Sequence, residues 1–157
     1  MTYKNPLMVE VMVPRLHSTA ARIHEFYEEI GWEHRNHSAS RFDTIVHPYT
    51  SEGTAPTIAY WQTENPQKMG HFALNEKDTP TRFARGLRLP RMQDLVEVCL
   101  VVPTDDDVHA IFERGGDVLQ AHTHIPPREH AGRQEFRYAD PFNYAFRVTA
   151  DPGWEIE

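Results

Sequence analysis

Two glutamates, Glu10 and Glu97, stand inside short valine-rich runs, Val9-Glu10-Val11-Met12-Val13-Pro14 and Val96-Glu97-Val98-Cys99-Leu100-Val101-Val102-Pro103. An unpaired carboxylate is costly to bury among such neighbours. Each must face solvent, pair with a cation, bind a metal ion, or serve as a proton-transfer group with a raised pKa. By strand order, Arg137 and Arg147 are the nearby cations that could pair with them. Gln120, His122 and His124 alternate along one segment, and two imidazoles at i and i+2 can grip one metal. His71 lies in the strand-like stretch His71-Phe72-Ala73-Leu74. Tyr144 and Phe146 alternate along one late segment, as do Phe136 and Tyr138 along another. Turned inward together with Trp61, these rings would line a wall that stacks against a flat organic ligand; the competing reading is an ordinary inter-sheet core. The single cysteine, Cys99, reads as a small buried thiol rather than a nucleophile.

The elements that must position these residues come in two similar passes. Leu7 to Val13 reads as a strand, followed by a helix from about Thr19 to Ile30. Ile23, Phe26, Tyr27 and Ile30 fall at i, i+3, i+4 and i+7, and Gly31 is placed to stop the helix. Trp32 to Ser38, Arg41 to His47 and Thr57 to Gln62 then read as strands, giving the order β-α-β-β-β. The second pass begins with Leu95 to Val102. Thr104 and Asp107 have capping-box spacing, and Val108, Ile111 and Phe112 give the next helix its apolar stripe up to Gly115-Gly116. Strands are expected at Asp117 to His124, Arg133 to Tyr138 and Tyr144 to Thr149, with breaks at Pro126-Pro127 and Asp140-Pro141. The repeat predicts an α+β fold of two βαβββ modules forming a curled mixed-sheet cavity, with module one at 1–64 and module two at 92–157. A connecting segment with an extra strand is expected at 65–91.

The net charge of −7 argues against a nucleic-acid partner, and the ten histidines are scattered rather than gathered. A hydrophobic fraction of 39% is enough for a folded core. No apolar run approaches the roughly 18 residues of a membrane span, and Met1 to Pro6 lacks a basic region followed by an apolar one. With one cysteine, no intrachain disulfide can form. The expected setting is cytoplasmic, with no membrane partner.

The paired β-α-β-β-β order, the segment Phe26-Tyr27-Glu28-Glu29-Ile30-Gly31-Trp32 and the late turn Ala139-Asp140-Pro141-Phe142-Asn143 resemble the vicinal oxygen chelate superfamily of glyoxalases, bleomycin-resistance proteins and ring-cleaving dioxygenases. The resemblance implies a cavity between curled sheets, in which two vicinal substrate oxygens chelate one divalent metal (Fe, Zn or Mn) acting as a Lewis acid. It places a first-strand ligand at Glu97, whereas the matching position in module one is Met8, whose strand face Glu10 shares. The late ligand position falls on Phe146, which cannot bind metal, and Gln62 is the nearest candidate in module one. The ligand set implied is Glu97, Glu10 and His71. Two functions follow. One is an enzyme acting on a small organic molecule, with Glu97 and Glu10 as catalytic groups around the metal or as metal-free acid/base residues. The other is a metal-free small-molecule or antibiotic-binding protein. Homodimers built by module exchange occur among such relatives.

Overall fold

The computed structural model describes residues 8–36, 44–51, 56–63 and 97–151. In the first half, β1 (Met8–Pro14) leads to helix α1 (Thr19–Glu29) and then to β2 (Glu33–Asn36), β3 (Thr44–His47) and β4 (Thr57–Thr63). In the second half, β5 (Glu97–Val102) leads to α2 (Asp105–His122), β6 (Thr123–His130), β7 (Arg133–Ala139) and β8 (Ala145–Ala150). The sheets have matching orders, β1-β4-β3-β2 and β5-β8-β7-β6. In each, the opening strand pairs parallel with the last and the other pairs are antiparallel. The fold is thus α+β, two βαβββ modules with mixed sheets that do not close into a barrel. The 65–91 segment and the module boundaries placed there lie outside the described residues.

Helix α1 forms where the apolar periodicity demanded it, with Ile23, Phe26, Tyr27 and Ile30 buried. Its end is a double backbone clasp. Trp32 N–H donates to Tyr27 O at 2.9 Å and Gly31 N–H to Glu28 O at 3.0 Å. That clasp needs a left-handed residue, and Gly31 supplies it at φ 80°. Helix α2 opens on the anticipated capping box. Thr104 Oγ1 accepts the Asp107 N–H, and Asp107 Oδ2 accepts the Thr104 N–H.

The end of α2 corrects the expectation. Gly116 does take a non-helical conformation (φ 55°, ψ −148°), but it kinks the helix, and helical structure resumes to His122. Leu119, fully buried, holds the second piece on the core, which outweighs the glycine pair's tendency to stop it. Gln120 and His122 therefore sit on a helix while His124 sits on a strand, and the alternating ligand face expected of them does not exist. The Pro126-Pro127 pair likewise lies inside β6 rather than breaking it. β6 is an edge strand, and its register slips between Thr123 and Arg128, where missing N–H donors are tolerated.

The two modules share one core. Val11, Val13, Ile58 and Tyr60 from the first sheet join Leu100, Phe136, Tyr138, Phe146 and Val148 from the second. Tyr27 of α1 links them: its hydroxyl lies 2.7 Å from that of Tyr60 and 3.2 Å from that of Tyr138. Tyr60 then donates to Asp140 Oδ2 at 2.8 Å, while Asp140 Oδ1 accepts the N–H groups of Phe142 (2.9 Å) and Tyr144 (2.8 Å). This chain satisfies four buried polar side chains and ties the Asp-Pro turn of module two to β4 of module one. Burial pushes the Asp140 carboxyl up to about 6, against hydrogen bonds that pull it down. Farther out, Ser51 donates from N and Oγ to Asp107 Oδ1 (3.0 and 2.8 Å), and the Arg22 guanidinium reaches Pro141 O (2.8 Å).

Candidate functional site

Side chains alternate across each strand, so every sheet has one face on the shared core and one turned away from it. In the second sheet the core face carries Leu100, Val102, Phe136, Tyr138, Phe146 and Val148. The opposite face carries Glu97, Cys99 and Val101 from β5, Arg147 and Thr149 from β8, and Glu135 and Arg137 from β7. Arg128 of β6 lies in register with Glu135 and extends the row.

These charges form a connected array. Glu97 is bracketed by two guanidiniums: Oε2 lies 3.3 Å from Arg137 Nη1 and Oε1 lies 3.1 Å from Arg147 Nε. The second contact is an ion pair without hydrogen-bond alignment, since Arg147 Nε keeps no hydrogen-bond partner. Below them Glu135, only 1% exposed, receives Arg128 Nη2 at 3.1 Å, Arg137 Nη2 at 3.3 Å and Arg147 Nη1 at 3.7 Å. Burial alone would raise the Glu135 pKa; the Arg128 hydrogen bond, Arg137 and His130 outweigh it and hold the carboxyl below its ordinary value. The arginines anticipated as partners for the strand carboxylates are therefore the partners of Glu97.

Among the described residues, the donors around Glu97 do not suit a resident divalent metal. Two cationic guanidiniums already occupy both oxygens of Glu97 and would repel a further cation. Among the described residues no group of three His, Cys, Asp or Glu side chains could hold an ion. His71 lies outside the described residues.

The other expected site residues are placed as follows. Phe136, Tyr138 and Phe146 are fully buried and face the helices: Tyr138 stacks on Phe146 with ring centroids 5.2 Å apart, and Phe136 packs on Phe112 of α2. They fill the core where a ligand-binding wall was expected, because the register turns even-numbered positions of β7 and β8 toward the helices. The position expected of Phe146 belongs, on the opposite face, to Arg147. Tyr144 is buried and its hydroxyl donates to Met12 O, anchoring module two on β1. Glu10 is exposed on the face of the first sheet turned away from the core, which Trp61, half-buried and in register with Met12, shares. Glu10 and Glu97 thus stand on separate sheets, each looking away from the shared core. Cys99 is exposed, not buried, because it shares the face of Glu97. Glu135 was missed from sequence. Its signal was the alternation Arg133-Gln134-Glu135-Phe136-Arg137-Tyr138, charged at odd positions and aromatic at two even ones.

No helix among the described residues is long and apolar enough to cross a membrane. No family model and no curated protein matches the sequence. Solved structures do match in fold. A hypothetical protein of S. aureus, SA1046, aligns over 96% of this chain and 96% of its own, with 15% identity and a TM-score of 0.52. A glyoxalase-related enzyme from Fulvimarina pelagi aligns over 99% and 94%, with 18% identity and a TM-score of 0.51. TnmS3, an antibiotic-binding protein from Streptomyces sp. CB03234, aligns over 96% and 98%, with 12% identity and a TM-score of 0.52. At such identities the likeness is one of fold, and it agrees with the paired βαβββ topology. The chain has a vicinal oxygen chelate fold, shared with the glyoxalase-related enzyme.

Proposed function

We propose that this protein binds a small organic molecule, without a resident metal, on the face of its second sheet where Arg137 and Arg147 flank Glu97. The observation that carries the reading is Glu97 held between two guanidiniums at 3.3 and 3.1 Å on a face that stays partly open, its side chain 26% exposed. Charged groups at the edge of water and beside the apolar Val101 suit a ligand with a polar head and a small carbon body. The enzymatic version, in which Glu97 and Glu10 exchange protons with one ligand, asks two carboxylates on separate sheets to act together, and the binding reading needs no such juncture.

The test is an NMR screen of the full chain against small neutral and charged organic molecules, before and after EDTA treatment. The expected result is saturable movement of the Cys99, Val101, Arg137 and Arg147 amides, unchanged by the chelator. Binding that appears only after iron, zinc or manganese is added would overturn the metal-free reading. A screen in which these amides never move would overturn the site.

A further inference from the structure

Resting on that reading, we infer that the ligand is a small organic carboxylate, and that its oxygens are taken by the guanidinium pair Arg137 and Arg147. These two arginines are direct cross-strand partners on one face. Like charges placed opposite each other disfavour strand pairing, so the sheet alone has no use for this arrangement. Glu97 and Glu135 hold the pair together, yet three guanidiniums (Arg128, Arg137 and Arg147) meet only two carboxylates. Counted over these five described side chains alone, there is one surplus positive charge, in a chain whose net charge is −7. A single carboxylate would neutralise that surplus.

The guanidiniums are also incompletely satisfied. The Nε atoms of Arg137 and Arg147 are buried with no hydrogen-bond partner among the described residues, so a ligand would meet the Nη groups instead. Both side chains remain open at 22% and 31% exposure. A planar fork beside another planar fork matches the two oxygens of a carboxylate, which no lysine pair would do as well. Val101, 41% exposed on the same face, offers an apolar rest for the ligand's carbon body. If the cluster served stability alone, uncharged packing of similar volume would serve it equally or better.

Glu97 gives the inference a sign that a structural role lacks. Its carboxylate already occupies the forks that the ligand needs, so it competes with the ligand. The experiment is an NMR titration of the full chain with sodium benzoate at constant ionic strength. Benzamide and benzylamine serve as neutral and cationic controls, and inorganic phosphate as the second anion. Benzoate should shift the Cys99, Val101, Arg137 and Arg147 amides saturably, at least tenfold more tightly than benzamide. Arg147→Gln should weaken benzoate at least tenfold, Arg147→Lys several-fold, and Glu97→Gln should tighten it, with each variant's folded spectrum retained. Arg137→Gln provides a second removal should Arg147→Gln fail to fold. Benzamide binding as tightly as benzoate at these amides would refute the carboxylate inference and leave the binding site standing; phosphate binding in place of benzoate would refute the organic carboxylate. Silence from every probe, or weaker benzoate binding in Glu97→Gln, would also refute it.

Discussion

Replacing Asp140 with asparagine should remove a large part of the protein's stability gain on mild acidification. Asp140 is 1% exposed, and burial lifts its carboxyl from an ordinary 3.8 to about 6. The folded state therefore holds the proton more tightly than the unfolded chain. The associated stabilisation is fully present below the ordinary carboxyl value and is lost as pH rises through about 6. A gap of about 2 units corresponds to about 3 kcal/mol in total. Between pH 7 and pH 5 the same linkage yields about 1.3 kcal/mol of added stability. Asparagine is nearly isosteric. Its oxygen can accept the Phe142 and Tyr144 N–H groups, and its amide can donate to the Tyr60 hydroxyl once that hydroxyl rotates. The assay is urea unfolding of wild type and Asp140→Asn at pH 7 and pH 5, comparing the differences so that shared titrations cancel. Wild type should gain about 1.3 kcal/mol more than the variant on moving to pH 5. Equal pH dependence in the two proteins would refute the claim that the buried turn carboxyl titrates near 6.

Two further outcomes concern stability. Asp107 accepts hydrogen bonds from Ser51 and Thr104, joining the helix cap to the other module, and these bonds overcome burial to hold its pKa below the ordinary value. Asp107→Ala should cost about 2 kcal/mol in urea unfolding at pH 7, and the difference from wild type should shrink as pH falls below about 4. Glu135→Ala leaves three guanidiniums without their common anion and should cost about 3 kcal/mol, whereas Glu135→Ala combined with Arg128→Ala should recover part of that loss in the same assay.

The sequence by itself determined the duplicated βαβββ order, both helices, the Gly31 stop and the Thr104–Asp107 cap. These depend on local periodicity and on chemistry within three or four residues, which the chain carries wherever it folds. It also matched Glu97 to Arg137 and Arg147, because strand order alone brings those positions together. The faces were decided elsewhere. A one-residue choice of register exchanges every side chain between core and surface, so Phe146 and Arg147, or Cys99 and Leu100, could not be told apart by type. Helix α2 ran past its glycines because Leu119 had a core to enter, a non-local gain that no window of the sequence displays. Only the packed structure, in which Tyr27 reaches both Tyr60 and Tyr138, decided that the modules join through their helix-bearing faces. Burying the aromatic rings there placed the charged side chains of the second sheet on its opposite face.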